Sequence, residues 1–188
     1  MAWEIEVCDM SVIEEYEDIP ISWTVKSILK PYPRKCGSIG IELREEKLDH
    51  PYEQNLDAIP GNKPTDWKYV YNVAKWKFIV ARDEGRMVGG LALTDMAGGR
   101  ALGHDFRVHP KYRSCGEGIK ILDRALKCIR DDGGTQFVTQ TQSDNVNTSM
   151  MLHSRGYDLV GMSLIAHPPT AQLIWLKDLS GNGRPAGN

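Results

Sequence analysis

The chain has 188 residues and a mass of 21.1 kDa, which fits one domain with a modest appendage. A hydrophobic fraction of 41% with 26% charged residues excludes disordered and collagen-like classes, and a net charge of −2 argues against a dedicated nucleic-acid-binding protein. Residues 1–57 carry a net charge of −7 and residues 58–188 one of +5, so we expect the two parts to face ligands of opposite sign.

The cysteines and the hydropathy pattern indicate where the protein works. Cys8, Cys36, Cys115 and Cys128 form no Cys-x-x-Cys pair and no metal-binding spacing with histidines. A chain of this size buries its core without disulfides, so we expect reduced thiols and no metal. No run of 18 apolar residues occurs, and the acidic start lacks the order of a signal peptide. These features predict a soluble, cytoplasmic protein with no membrane partner.

The first 74 residues show the less regular pattern. Alternation of apolar and polar residues from Trp3 to Cys8 predicts a half-buried strand. Ser11, with Glu14 three positions later, predicts a short capped helix. The stretch over residues 20–66 is rich in proline, and we expect loops and short helices there.

From residue 75 onward the pattern is clearer. Three consecutive strands are predicted over 75–83, 86–94 and 100–108, with the first two joined by a Glu84-Gly85 turn. The later elements are predicted in the order helix 116–130, strand 135–141, helix 145–155, strand 157–165 and strand 172–179. The fold class is therefore α+β, one domain over 1–180 with a mostly antiparallel central sheet, flanking helices and a strand-helix-strand unit. Residues 181–188, rich in Gly, Pro and Asn, are expected to form a disordered tail.

The segment over residues 108–119 carries the most informative motif. A strand ends at a proline, the chain turns through Lys111 and Arg113, and Gly116 and Gly118 open a long helix. Glycines there let backbone N–H groups converge, and the helix N-terminus adds partial positive charge. This arrangement predicts an anion cradle suited to a pyrophosphate, with the two basic residues at its rim. Neither the Walker A motif nor the dinucleotide fingerprint fits.

The spacing Arg113-x-x-Gly116-x-Gly118 resembles the Arg/Gln-x-x-Gly-x-Gly/Ala acyl-CoA signature of the GNAT superfamily of N-acetyltransferases. The resemblance covers about residues 75–165 and includes the segment over 145–157, which is similar to the family's asparagine-to-Gly-Phe helix. It implies a GNAT-like fold with an acceptor-side part over 1–74, an acyl-CoA-binding core over 75–165, and acetyl-CoA as the acyl donor. The cofactor-binding residues that it implies are Phe106, Val108, Arg113, Ser114, Cys115, Gly116, Glu117, Gly118 and Asn145.

A finer resemblance links the chain to the streptothricin acetyltransferases through residues 21–24, 103–108 and 140–145. It implies that Trp23 and Gln142 contact the acceptor. Two positions depart from the family pattern. His104 stands where those enzymes carry a glutamate, and Leu152 stands where many members place a tyrosine that would protonate the departing thiolate.

Acetyl transfer to an amine requires a proton acceptor, because only the neutral amine attacks a thioester. His104 is the first candidate, since in a regular strand it shares its face with Leu102 and Phe106. Asp105 is the alternative, which a bulge would bring to that face, and His153 is the candidate proton donor. Each also has a structural interpretation: a histidine bonded within the sheet, a structural carboxylate and a solvated helix residue.

We therefore predict an N-acetyltransferase that moves an acetyl group from acetyl-CoA to a primary amine of a small cationic acceptor, such as a streptothricin or an aminoglycoside. The amine would attack directly in a ternary complex. Two alternatives stay open, namely acetylation of a protein or peptide amine, and a non-catalytic acyl-CoA-binding module. The expected partners are the small-molecule acceptor and a second copy of the chain in a homodimer, with no nucleic acid.

Overall fold

The computed structural model describes residues 3–34, 40–94, 97–114, 116–163 and 170–181, and they form a mixed α+β fold with mainly antiparallel strand pairing. The regular elements are β1 (Glu4–Cys8), α1 (Ile13–Glu17), β2 (Ser22–Pro33), β3 (Ile41–Asn55), β4 (Lys77–Asp83), β5 (Arg86–Leu93), β6 (Arg100–Val108), α2 (Glu117–Asp131), β7 (Gln136–Gln142), α3 (Val146–Ser154), β8 (Asp158–Ser163) and β9 (Gln172–Asp178). These residues divide into two compact units, the first drawn from 1–22, 55–139 and 177–188, the second from 23–54 and 140–176.

In the first unit the strands follow the order β1, β4, β5, β6 and β7. The pairs from β1 to β6 are antiparallel, and β6 pairs with the start of β7 in parallel. Glu84 and Gly85 have φ values of 50° and 79° and form the turn between β4 and β5. The three predicted consecutive strands and their turn are thus confirmed.

One part of the core of the first unit is formed by α1 and an aromatic cluster on one face of its sheet, and another part by the buried side chains of α2. The Tyr16 ring packs 5.3 Å from Phe78 and 6.2 Å from Trp67, measured between centroids. The prediction of a short helix in this region is confirmed, but the prediction that Ser11 caps it is wrong. Asp9 caps the 3-10 turn that precedes α1, accepting a 2.9 Å hydrogen bond from the backbone N–H of Ser11.

In the second unit β2 and β3 form a two-stranded sheet, and β9 lies between the end of β7 and β8. The two long strands correct the expectation of loops and short helices over most of residues 20–66. Pro31, Pro33 and Pro51 lie within them. Each strand of a two-stranded sheet has one unpaired edge, so a proline costs no ladder hydrogen bond where its nitrogen faces that edge.

The later elements agree with the sequence-based bounds to within two residues wherever the structure describes them. Residues 164–165 of the predicted strand and residues 182–188 of the predicted tail lie outside the described residues. None of the helices in the described ranges is long and apolar enough to cross a membrane.

Candidate active site

A β-bulge in β6 lies at His104. Asp105 pairs with Ala92 of β5 and Gly103 pairs with Leu93, so His104 is an extra residue without a partner in the β5 register. A bulge resets the alternation of side chains along a strand. The His104 ring and the Asp105 carboxylate therefore both reach the aromatic side of the sheet, and the expectation of a regular strand that separates them is wrong.

The imidazole of His104 is surrounded by aromatic rings. Its centroid lies 4.8 Å from Trp67, 4.8 Å from Trp76 and 5.0 Å from Tyr71. Burial lowers the pKa of His104, and the nearby Asp105 charge offsets part of that shift. Within the described part of the chain, no hydrogen bond reaches its ring nitrogens. The unprotonated imidazole is therefore the main form at neutral pH, and none of the described residues uses its lone pair.

Asp105 is bound to two neighbouring side chains. Its carboxylate accepts hydrogen bonds from Arg107 Nε at 2.8 Å, from Arg107 Nη2 at 3.2 Å and from Tyr16 Oη at 2.7 Å. Arg107 is only 1% exposed and also forms an ion pair with Asp57 at 2.9 Å. Since a buried guanidinium needs such partners, this geometry favours the structural interpretation of Asp105. Sequence analysis did not identify Arg107, because an arginine in a strand is more often exposed.

Replacing Tyr16 with Phe tests this buried network. The variant removes the hydrogen bond to the Asp105 carboxylate and keeps the ring, so the free energy of unfolding should fall by about 2 kcal/mol, typical of a hydrogen bond to a charged group. Urea denaturation measures the change. Tyr71→Phe is the matched control, because Tyr71 is 44% exposed and its hydroxyl forms no hydrogen bond within the described residues. An equal loss of stability in both variants would contradict the expectation.

One edge of β6 is open next to the bulge. The backbone N–H of His109 donates to Val88 O at 2.9 Å, so, by alternation, the N–H groups of Phe106 and Val108 point away from β5. The parallel pairing of β6 with β7 ends at Gly103. The two N–H groups thus face an edge where β7 no longer provides acceptors. An extended ligand with amide groups could accept hydrogen bonds from such N–H groups.

The cradle lies between this edge and the start of α2. Ser114 and Gly116 have φ values of 65° and 82°, which turn the chain sharply into the helix. A Cβ at Gly118 would lie 3.2 Å from Val108 Cγ2 and 3.4 Å from Phe106 Cζ. Gly118 therefore lets the first turn of α2 approach β6 closely. Cys115 and the side chain of Glu117 lie outside the described residues.

Arg113 holds the loop of the cradle through backbone carbonyls. Its Nε donates to Val108 O at 2.7 Å, Nη1 to Ser22 O at 2.5 Å and Nη2 to Pro20 O at 3.2 Å. These contacts identify Arg113 as a positioning residue for the loop. Its partners carry no formal charge, so its positive charge is not neutralised by them.

The surroundings of the cradle are electropositive. The pKa of His109 is lowered by burial and by the positive charges of Arg86, Lys111 and Arg113. Basic groups that raise the energy of a protonated histidine stabilise an anion in the same place. The anion cradle itself stays a prediction, which the positive φ values of Ser114 and Gly116 and the basic groups near His109 support.

Four predicted site residues belong to the second unit, and three of them, Gln142, Asn145 and His153, lie within α3 or in the few residues that precede it. Asn145 is the N-cap of α3, and its Oδ1 accepts a hydrogen bond from the Thr148 N–H at 3.3 Å. Its Nδ2 group has no acceptor among the described residues and remains a donor for a ligand. Gln142 is half-buried, with no hydrogen bond on its amide in the described part of the chain. His153 is exposed, which favours the solvated interpretation.

Trp23 is the fourth of these residues. Its indole N–H donates to the backbone carbonyl of Asp144 at 3.2 Å, and its side chain is half-buried. The same Asp144 accepts a hydrogen bond on Oδ2 from Tyr52 Oη at 3.0 Å. Neither Asp144 nor Tyr52 was singled out from the sequence, because their contact joins residues 92 positions apart.

Comparison with known proteins gives one family and many similar structures. Residues 42–157 match the Acetyltransferase (GNAT) family. The chain is 17% identical to a nourseothricin acetyltransferase, with a TM-score of 0.75 over 95% of this chain and 99% of the other. It is also 17% identical to a Bacillus anthracis protein described as a streptothricin acetyltransferase in complex with acetyl coenzyme A, with a TM-score of 0.75 over 94% and 99%.

An aminoglycoside 6'-N-acetyltransferase complexed with coenzyme A is more distant, with 13% identity and a TM-score of 0.56 over 69% of this chain and 85% of the other. No curated protein shows significant sequence similarity. At such low sequence identities, the structural similarity establishes the fold alone. Across the described residues, no group of three or more His, Cys, Asp and Glu side chains is arranged to hold a metal ion.

Proposed function

Because the chain belongs to the Acetyltransferase (GNAT) family, we propose that it moves an acetyl group from acetyl-CoA to a primary amine of a small cationic acceptor. An antibiotic with several amino groups is the acceptor class that we favour. Similar structures named for nourseothricin and for aminoglycosides support this class. The net charge of −7 over residues 1–57 also supports it, since that part of the chain would attract a polycation.

The observation that carries the proposal is the open edge of β6 beside the cradle. The N–H groups of Phe106 and Val108 can bind the amide-containing pantetheine arm, while the N-terminus of α2 binds the pyrophosphate. The positive charges of Lys111 and Arg113 add to the field of the helix. We assign Ser114 and Gly116 to the loop that binds the pyrophosphate. We propose that Asn145 Nδ2 donates a hydrogen bond to acetyl-CoA.

His104 is the residue that we propose as the proton acceptor. The amine nitrogen would form a bond to the thioester carbonyl carbon as the carbon–sulfur bond breaks, CoA would leave as the thiolate, and the imidazole would take the proton that the amine loses. Because burial lowers the pKa of His104 below its ordinary value, the unprotonated imidazole that can accept a proton is its main form at neutral pH. We propose Asp105 as a positioning residue that anchors Arg107. The single domain, the homodimer and the cytoplasmic location stay predictions.

Release of the CoA thiol in the presence of an amine panel tests the proposal. The panel contains an aminoglycoside, a streptothricin, a peptide with a free N-terminus and an uncharged alkylamine. We expect acetyl-CoA to be consumed only when amine is present, fastest with the two polycations. Preference for the peptide would favour the protein or peptide alternative. Binding of CoA without turnover of any amine would favour the non-catalytic module.

A further inference from the structure

A buried carboxylate in the second unit has no cationic partner among the described residues. Asp144 lies between β7 and α3 and is only 3% exposed. Its Oδ2 accepts from the Tyr52 hydroxyl, whereas Oδ1 is buried and accepts no hydrogen bond from another of the described residues. The groups that shift its pKa include no lysine and no arginine. Asp144 therefore carries an acceptor atom and a charge that the described residues do not satisfy.

Such a carboxylate is costly unless a donor reaches it. Burial raises the pKa of Asp144, and hydrogen bonds from Tyr52 and from its own backbone N–H lower it. The pKa of Tyr52 is raised to about 12, so its hydroxyl stays protonated and provides a neutral donor to Oδ2. Buried polar atoms without partners are rare in native proteins, and an unpaired one is frequently explained by a ligand or an ion.

The surroundings of Asp144 are suited to an organic cation. Trp23 from β2 and Tyr52 from β3 both contact this residue, and both side chains are partly exposed, so the site lies near the surface. Aromatic faces next to a carboxylate stabilise ammonium and guanidinium groups. The hydroxyl of Tyr52 fixes the carboxylate of Asp144, and the indole of Trp23 fixes the backbone carbonyl of the same residue, before a ligand arrives.

We propose that Asp144, flanked by Trp23 and Tyr52, binds a second positively charged group of the acceptor, and this inference rests on the proposed function. The bound group is not the amine that reacts, because the reacting amine must be neutral while an ion pair needs the protonated form. The preferred substrates are therefore amines that carry at least two basic groups. A monoamine of similar size lacks the group that Asp144 binds.

Steady-state kinetics of an Asp144→Asn variant test this inference. The variant keeps the shape of the side chain and its hydrogen bond from Tyr52 but removes the charge. We expect the ratio of the KM for a diamine to the KM for a monoamine to rise by about 10- to 100-fold, the usual effect of losing a charge-assisted hydrogen bond. Equilibrium binding of the diamine, measured by calorimetry in the absence of acetyl-CoA, should weaken by the same factor.

Two further variants separate the local effect from others. Asp49→Asn removes one exposed negative charge from β3 and should leave the ratio within about twofold, since a screened surface charge contributes little. Trp23→Leu keeps the carboxylate and removes the aromatic face, and it should raise the ratio by about fivefold. If Asp144→Asn does not fold, Trp23→Leu provides the test in its place.

The outcomes distinguish this inference from the proposed function. An unchanged ratio in Asp144→Asn, with an active wild-type enzyme, would overturn the role of Asp144 and leave acetyl transfer intact. Equal changes in Asp49→Asn and Asp144→Asn would also overturn it, because they would reflect long-range charge alone. A wild-type protein that acetylates no amine would overturn both proposals.

Discussion

A Gly118→Asp variant should lose acetyl-CoA binding by on the order of 100-fold or more. The new carboxylate would stand in the first turn of α2, where the pyrophosphate is expected, and repulsion between charges about 4 Å apart amounts to several kcal/mol near a protein surface. The fold should survive, because an acidic residue in the first turn of a helix is favoured by the helix dipole. Calorimetric titration with CoA measures the loss.

Gly118→Ala is the control for this experiment. Its Cβ would meet Val108 Cγ2 at 3.2 Å and Phe106 Cζ at 3.4 Å, contacts that neighbouring side chains relieve by small shifts. The alanine variant should therefore lose far less affinity than the aspartate variant. Undiminished CoA affinity in Gly118→Asp would remove the cradle assignment. An equal loss in both variants would attribute the effect to the close approach of α2 to β6 and not to charge.

Replacing His104 should lower turnover by roughly 10²–10⁴-fold, the usual contribution of a positioned base. In the wild-type enzyme kcat/KM, expressed per concentration of neutral amine, should rise with pH and level off above the pKa of His104. That pKa lies below its ordinary value of about 6.5 because the ring is buried. The rising part of the pH profile, the acid limb, is therefore expected on the acid side of neutrality. The limb should be missing in His104→Ala.

His104→Phe separates chemistry from packing. A phenyl ring can retain the contacts with Trp67 and Trp76 but cannot accept a proton. If His104 is the base, the Ala and Phe variants lose the acid limb alike, whereas a merely structural ring would be rescued by Phe. A wild-type pH profile in both variants, with collapse in a folded Asp105→Asn, would transfer the role to the carboxylate. Near-normal turnover in all three would mean that acetyl transfer rests on positioning of the amine.

The sequence was most informative where the structural signal is local. The strands β4 to β6 follow from alternation, and the turn between β4 and β5 follows from Glu84-Gly85, because both depend on neighbouring residues. The cradle follows from Gly116 and Gly118, whose spacing reports a sharp turn into a helix and a close approach to a strand. The match to the Acetyltransferase (GNAT) family confirms the family that this motif indicated.

Features that depend on distant contacts could not be predicted. Nothing in the residues around His104 shows that β6 contains one residue without a partner in β5. The bulge therefore could not be predicted before the register of the two strands was known. The pairing of β2 with β3 was hidden by prolines, which are tolerated there because of the open edges. The loop-holding role of Arg113 depends on carbonyls of residues 20 and 22, which precede it by about 90 positions.

The buried guanidinium of Arg107 also bears on the order of folding. Its partners include Ile19 O, 88 residues earlier in the chain, and Asp57, 50 residues earlier. Closing such long loops is entropically unfavourable, and the guanidinium loses its water only when all three segments are in place. We therefore expect the contacts of Arg107 to form late on the folding pathway, after the hairpin of β4 and β5. Interactions that are absent from the transition state act on the unfolding rate, so this network governs how long the folded unit persists more than how fast it forms.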